Sequence, residues 1–356
     1  MSDKKTRLFF LDFVRAVSML MIVIYHFNMS LLGHSVTARD VSMIVIPGDY
    51  LGIGVSVFLI LSGAALMYTY QNGLSLKVFL KKRFLSIYPM FWIAYIIVFF
   101  YMFYTYLSIN HQAPKAKFLL TILGFDGYLL WTGTNYYIIG EWFLGLIIIL
   151  YIIFPLLRRL IDKFPVFLLV IIVIAFIVTV ENYPFRIPIL YNPIIRLPEF
   201  LLGMYFIKYI KHVKFYQFVI ALCFAYPFMI VDGIPLNPIY KFTIIGLSLF
   251  VVLSYIGQCL KSDRLRKPIL FISKYSYAIF LVHHVVIEQM MIRFNGRSLT
   301  VVETHMLFFI MFIFILLISK ALSSFTDIIT EKLKAISFKR RTKVITESID
   351  VSSHYN

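Results

Sequence analysis

Stretches of about 20 mostly apolar residues alternate along the chain with short polar breaks, and a helix needs about 20 such residues to cross the hydrocarbon of a bilayer. Ten stretches meet this pattern, at about 8–32, 50–70, 84–106, 142–157, 164–180, 189–207, 215–231, 239–258, 268–292 and 300–318. They predict an all-α, polytopic membrane bundle of about ten transmembrane helices. The first stretch follows a basic N-terminus as a signal peptide would, but Asp12, Arg15 and His26 interrupt it and no small-residue cleavage site follows. It is therefore expected to be retained as a helix. The long break at 107–141 holds a moderately apolar piece (KFLLTILGFDGYLLW) too short and Gly-rich for a span, which suits an interfacial or re-entrant segment. From about Ala321 the sequence turns amphipathic (ALSSFTDIITEKLKAISF) and then basic and polar. This divides the chain into a membrane domain at 1–322 and a cytoplasmic amphipathic and disordered tail at 323–356. No internal repeat or mirrored half is visible.

Composition agrees with this reading and removes alternatives. Hydrophobic residues make up 61% of the chain and charged residues 14%, against about 45–50% and about 25% in ordinary soluble domains. A water-soluble globule is excluded. The 34 Lys plus Arg against 17 Asp plus Glu give a formal +17, and the surplus collects in alternate breaks, around Lys4, Lys5 and Arg7, Lys77 to Arg83, Arg158 to Lys163, Lys208 to Lys214, Lys261 to Lys267, and beyond Lys320. By the positive-inside rule both termini are then cytoplasmic. The charge calls for no nucleic acid, and the two cysteines, Cys223 and Cys259, lie in apolar runs and form no disulfide framework.

Ionisable residues inside a span cost a few kcal/mol each even on the lenient insertion scale, so they mark functional candidates. Arg15 and His26 are 11 residues apart, about three turns, and share one helical face about 16 Å apart along the axis. Arg suits phosphate or a thioester carbonyl, and His accepts a hydroxyl proton near neutral pH. Asp12, three residues before Arg15, is placed to pair with it; spacing alone equally allows a mere neutral pair, with His26 bonded to a neighbouring helix. Arg196 and Glu199 repeat the i, i+3 spacing in the sixth stretch. His283 and His284 lie in the ninth, where adjacent side chains diverge by about 100°, so one is expected to face the bundle interior. No metal site is expected, since within one helix only Glu288, four after His284, adds a ligand. Tyr136, Tyr137 and Trp142 suit an interfacial aromatic belt.

Taken in order, these motifs resemble the acyltransferase-3 family of integral membrane acyltransferases, over about residues 8–322. LDFVRAVSMLMIVIYHF resembles the family's first helix with its Arg and His, and FLILSGAALM its small-residue segment. KKRFLSIYPMFW, WFLGLIIILYIIFPLL, RLPEFLLGM and YSYAIFLVH resemble later elements in the same order. The resemblance implies an O-acyltransferase that takes acetyl or another small acyl group from cytoplasmic acyl-CoA. The acceptor it implies is a hydroxyl of a cell-surface polysaccharide or its lipid-linked precursor, at a bacterial cell membrane. It implies His26 and Arg15, oriented by Asp12, as catalytic, and Arg83 with Lys81 and Lys82, besides Arg15, as the donor site. Ser86 stands where the family has a second arginine, and Ile147 where many members have a glutamate, so that any role for that glutamate is absent or taken by Glu141. His283 falls on the late histidine, and Arg196 and Glu199 are further candidates. Acetyl-CoA is expected as a donor substrate, with no permanently bound cofactor. Expected partners are membrane lipid and a glycan or glycolipid acceptor; a separate extracytoplasmic transferase and a second copy of the chain are compatible with the sequence. A polysaccharide export component is the alternative of a different class.

Overall fold

Where no water is present, a backbone must satisfy its N–H and C=O groups internally, and apolar runs meet that demand as helices. The computed structural model describes residues 7–43, 46, 48–107, 113–231 and 233–353, with side chains described as far as 333; Lys4 and Lys5 lie outside this set. Eleven α-helices are present among the described residues: α1 (Phe9–Gly33), α2 (Gly54–Thr69), α3 (Leu76–Tyr106), α4 (Phe118–Leu123), α5 (Glu141–Lys163), α6 (Pro165–Glu181), α7 (Pro193–Tyr205), α8 (Phe215–Ile230), α9 (Pro238–Cys259), α10 (Asp263–Met291) and α11 (Val301–Ser353). The β contact described is a single bridge, between Thr37 and Ser298. Each of the ten apolar stretches lies on a helix. Among the described residues, seven helical segments are long and apolar enough to cross a membrane: α1, α2 together with the 3-10 turn that precedes it from Tyr50, α3, α5, α9, α10 and α11. The apolar helices α6 and α8 have 17 and 16 residues, and α7 has 13 before a π-helical turn at Phe206–Ile210. At the far end, α11 passes the expected boundary at 322 without a break and stays helical to Ser353.

The charged first helix is interior. Val14, Met21, Val23 and Phe27 of α1 are fully buried, and α1 packs on α2, α9 and α10. A helix with Asp, Arg and His needs such a position, because lipid solvates none of them. A close helix contact lies between α2 and α7, where small residues let backbones meet. A Cβ added at Gly203 would stand 1.8 Å from the Ile60 carbonyl oxygen, and one at Gly63 would stand 2.0 Å from that of Phe200. This crossing seats the buried Arg196 against α2, where it donates to Ser56 Oγ at 3.2 Å.

The long break folds back along α3. Trp92, at the middle of α3, donates to the Ile122 carbonyl at 2.9 Å, and the Tyr88 hydroxyl donates to that of Leu123 at 3.0 Å. These are the carbonyls that the short α4 leaves open at its C-terminus, and side chains of a neighbouring helix satisfy them. The chain then returns past Asp126 and Gly127 to the start of α5. A Cβ on Gly127 would stand 2.4 Å from the Glu141 carbonyl carbon, so this position accepts no larger residue without displacing Glu141.

Candidate functional site

The start of α5 is under backbone strain. Gly140 has φ +91° and Glu141 has φ +34°, a region where a residue with a Cβ costs about 1–3 kcal/mol and which recurs at functional sites. The strain brings the Glu141 carboxylate among three imidazoles contributed by α1 and α10. Glu141 Oε2 is 3.7 Å from His26 Nε2, and Oε1 is 3.6 Å from His283 Nε2 and 2.8 Å from His284 Nε2. The His26 ring centroid is 5.1 Å from that of His283 and 4.3 Å from that of His284. His283 is wholly buried, whereas the His284 side chain is 43% exposed. Both neighbours on α10 therefore reach the cluster, His283 from the core and His284 from its open side, where the sequence expected one of them to face the interior.

A cavity of about 370 Å³ adjoins this cluster, lined among others by His26, Glu141, Trp142, Tyr191, Arg196 and His283. Trp142 stacks on Tyr191, with centroids 4.5 Å apart and planes 7° apart, and the Arg196 guanidinium lies 5.7 Å over the Trp142 ring. Arg196 also pairs with the fully buried Glu199 at 2.9 Å. Trp142 is therefore a cavity wall, where the sequence suggested an interfacial belt.

The other end of α1 carries a second cluster. Asp12 accepts a two-pronged bond from Arg7, at 2.6 and 2.9 Å, and a third from Ser273 on α10 at 2.7 Å. Arg15 approaches the same carboxylate at 3.8 Å, so Asp12 holds Arg7 more closely than the Arg15 the spacing singled out. On α5, the Tyr151 ring takes the Arg83 guanidinium at 5.8 Å. Lys81 and Lys82 are exposed on the first turns of α3. Ser86 turns its hydroxyl to the Arg83 carbonyl, at 3.0 Å, and supplies no second cation.

The two clusters are in register. His26 and Arg15 are 11 residues apart on α1, and Glu141 and Tyr151 are 10 apart on α5, both about 15–16 Å at 1.5 Å per residue. Tyr151 was missed in the sequence, although its distance from Glu141 matches the Arg15-to-His26 interval. His284 was passed over because a helical wheel separates neighbours, whereas two long side chains of one turn can converge on a group opposite.

A family model described as an acyltransferase domain matches residues 8–323. No curated protein and no solved structure matches the chain.

Proposed function

The chain belongs to the acyltransferase-3 family, a match that covers nearly all of it, and on that premise we propose that it is a membrane O-acyltransferase working from cytoplasmic acyl-CoA. The observation that carries this reading is the pairing of a cationic end with an imidazole end on one buried helix, about 16 Å apart. Arg15, Arg83, Lys81 and Lys82 would hold the CoA phosphates by charge-assisted bonds, and the pantetheine arm would extend along α1 and α5. At the far end His26 takes the proton of an acceptor hydroxyl as that oxygen attacks the thioester carbonyl. The C–O bond of the new ester forms, the C–S bond breaks, and the proton passes to the departing CoA thiolate. Acetyl is the favoured acyl group, and the acceptor is a hydroxyl of an extracytoplasmic polysaccharide or its lipid-linked precursor. The Trp142–Tyr191 stack and Arg196 offer that acceptor flat apolar surface and a guanidinium beside Glu141. Membrane lipid surrounds about ten spans with both termini in the cytoplasm.

Purified protein given acetyl-CoA and a glycan acceptor should release CoA thiol. Replacing His26 with Ala should lower that rate by about 10²–10⁴-fold, the usual contribution of general acid–base catalysis; full turnover in the variant would overturn the assignment. One observation favours the second reading, a polysaccharide export component: Ser86, turned to the backbone, supplies no guanidinium where the family has its second arginine. Deletion decides between them, because a transferase leaves surface glycan abundant without esters and an exporter leaves it absent.

A further inference from the structure

The cluster at Glu141 has too many acceptors for its donors. His283 Nδ1 lies 2.8 Å from the Phe280 carbonyl oxygen and 3.1 Å from that of Ile279. A carbonyl only accepts, so Nδ1 carries the hydrogen, and in a neutral ring Nε2 is then a bare lone pair. That lone pair is buried, without a hydrogen bond, and points at Glu141 Oε1, which has no hydrogen bond either. The 2.8 Å approach of His284 is an ion-pair contact when that ring is protonated, and the 3.6 and 3.7 Å approaches of His283 and His26 are too long for a hydrogen bond. Acceptors that face one another away from water need positive charge between them. A proton on one ring would serve one contact; an ion at the centre serves all.

The spacing suits such an ion. One ligand atom from each of His26, Glu141, His283 and His284 lies within 4.8 Å of every other. Four ligands at about 2.0–2.2 Å in a tetrahedron are about 3.3–3.6 Å apart, inside the span of the three measured separations, 2.8 to 3.7 Å. A ligating histidine commonly donates its other ring N–H to a carbonyl, as His283 does. Imidazole nitrogen with one carboxylate is a donor set of the zinc class.

We propose that Glu141, His283 and His284 hold a divalent cation of the zinc class, with His26 facing its open coordination position. The ligands come from α5 and α10, so no spacing within one helix reveals them, and the expectation of a metal-free protein was limited to such spacings. What the ion does rests on the acyl-transfer reading. The acceptor hydroxyl would coordinate the open position, where the cation stabilises the oxyanion as His26 removes the proton.

Metal analysis of the purified full-length chain, prepared without chelator and exposed to Zn²⁺ alone, tests the site apart from any reaction. The expected result is about one zinc per chain, with an X-ray absorption spectrum of nitrogen and oxygen ligands. Zinc content should fall about tenfold or more in His283→Ala and Glu141→Gln, while His26→Ala keeps it. A wild-type protein that elutes as a single species without bound zinc would overturn the proposal, whatever the variants do. Loss of zinc in His26→Ala would overturn the three-ligand assignment. Stoichiometric zinc without CoA release would leave the site standing and sink the transfer reading, and full CoA release from metal-free protein would leave the transfer reading standing and overturn the ion's part in it.

Discussion

The two ends of α1 meet the cost of burying charge in opposite ways. At the Arg15 end a single carboxylate, Asp12, accepts from Arg7 and Ser273 and faces Arg15, and with Arg83 nearby cations outnumber anions. That end holds its own geometry and has positive charge to spare, which suits an anion as ligand. At the His26 end acceptors confront acceptors around Glu141, and the deficit is of positive charge. The difference teaches that one helix can carry two sites of opposite appetite if about 16 Å of buried apolar surface separates them.

The largest expected effect breaks this division outright. His26→Ala should abolish most acyl transfer while acetyl-CoA still binds with unchanged affinity, measured by calorimetry in detergent. Arg15→Ala should do the converse, raising the acetyl-CoA Kd by about 10–100-fold, as lost bonds to a charged group cost about 1.5–3 kcal/mol. If either variant altered both binding and turnover to the same degree, the two-ended picture would be wrong. Gly127→Ala pushes on Glu141 from behind and should destabilise the protein by about 1–3 kcal/mol. It should also slow turnover with the donor KM intact, as a thermal melt and initial rates would report. The smallest change sharpens the comparison: Ser86→Arg adds a guanidinium at the donor end and should lower the donor KM a few-fold, less so at high salt where exposed charges are screened.

Much of this arrangement was legible before any coordinates. Apolar run length located every long helix, because the demand on a backbone in hydrocarbon is local. The Arg15-to-His26 interval was legible for the same reason, as one helix fixes it. What the pattern omits is which helices are neighbours. Nothing in α5 or α10 alone says that Glu141 meets His283 and His284, and nothing in SGAAL or RLPEFLLG says that Gly63 and Gly203 bring α2 and α7 into backbone contact. The i, i+3 spacing found the Asp12–Arg15 pair, at 3.8 Å, but not the shorter bonds that Asp12 accepts from Arg7 in the preceding extended residues and from Ser273 on α10. Length was less decisive for α6 and α8, which run as apolar helices of 17 and 16 residues.

The bonds from Tyr88 and Trp92 to the carbonyls of 122 and 123 carry a consequence for folding. Left bare away from water, those carbonyls would forfeit several kcal/mol each, so the fold of 113–140 leans on α3. The fold of 113–140 therefore depends on α3 being in place, and with it the closing of Gly127 behind Glu141.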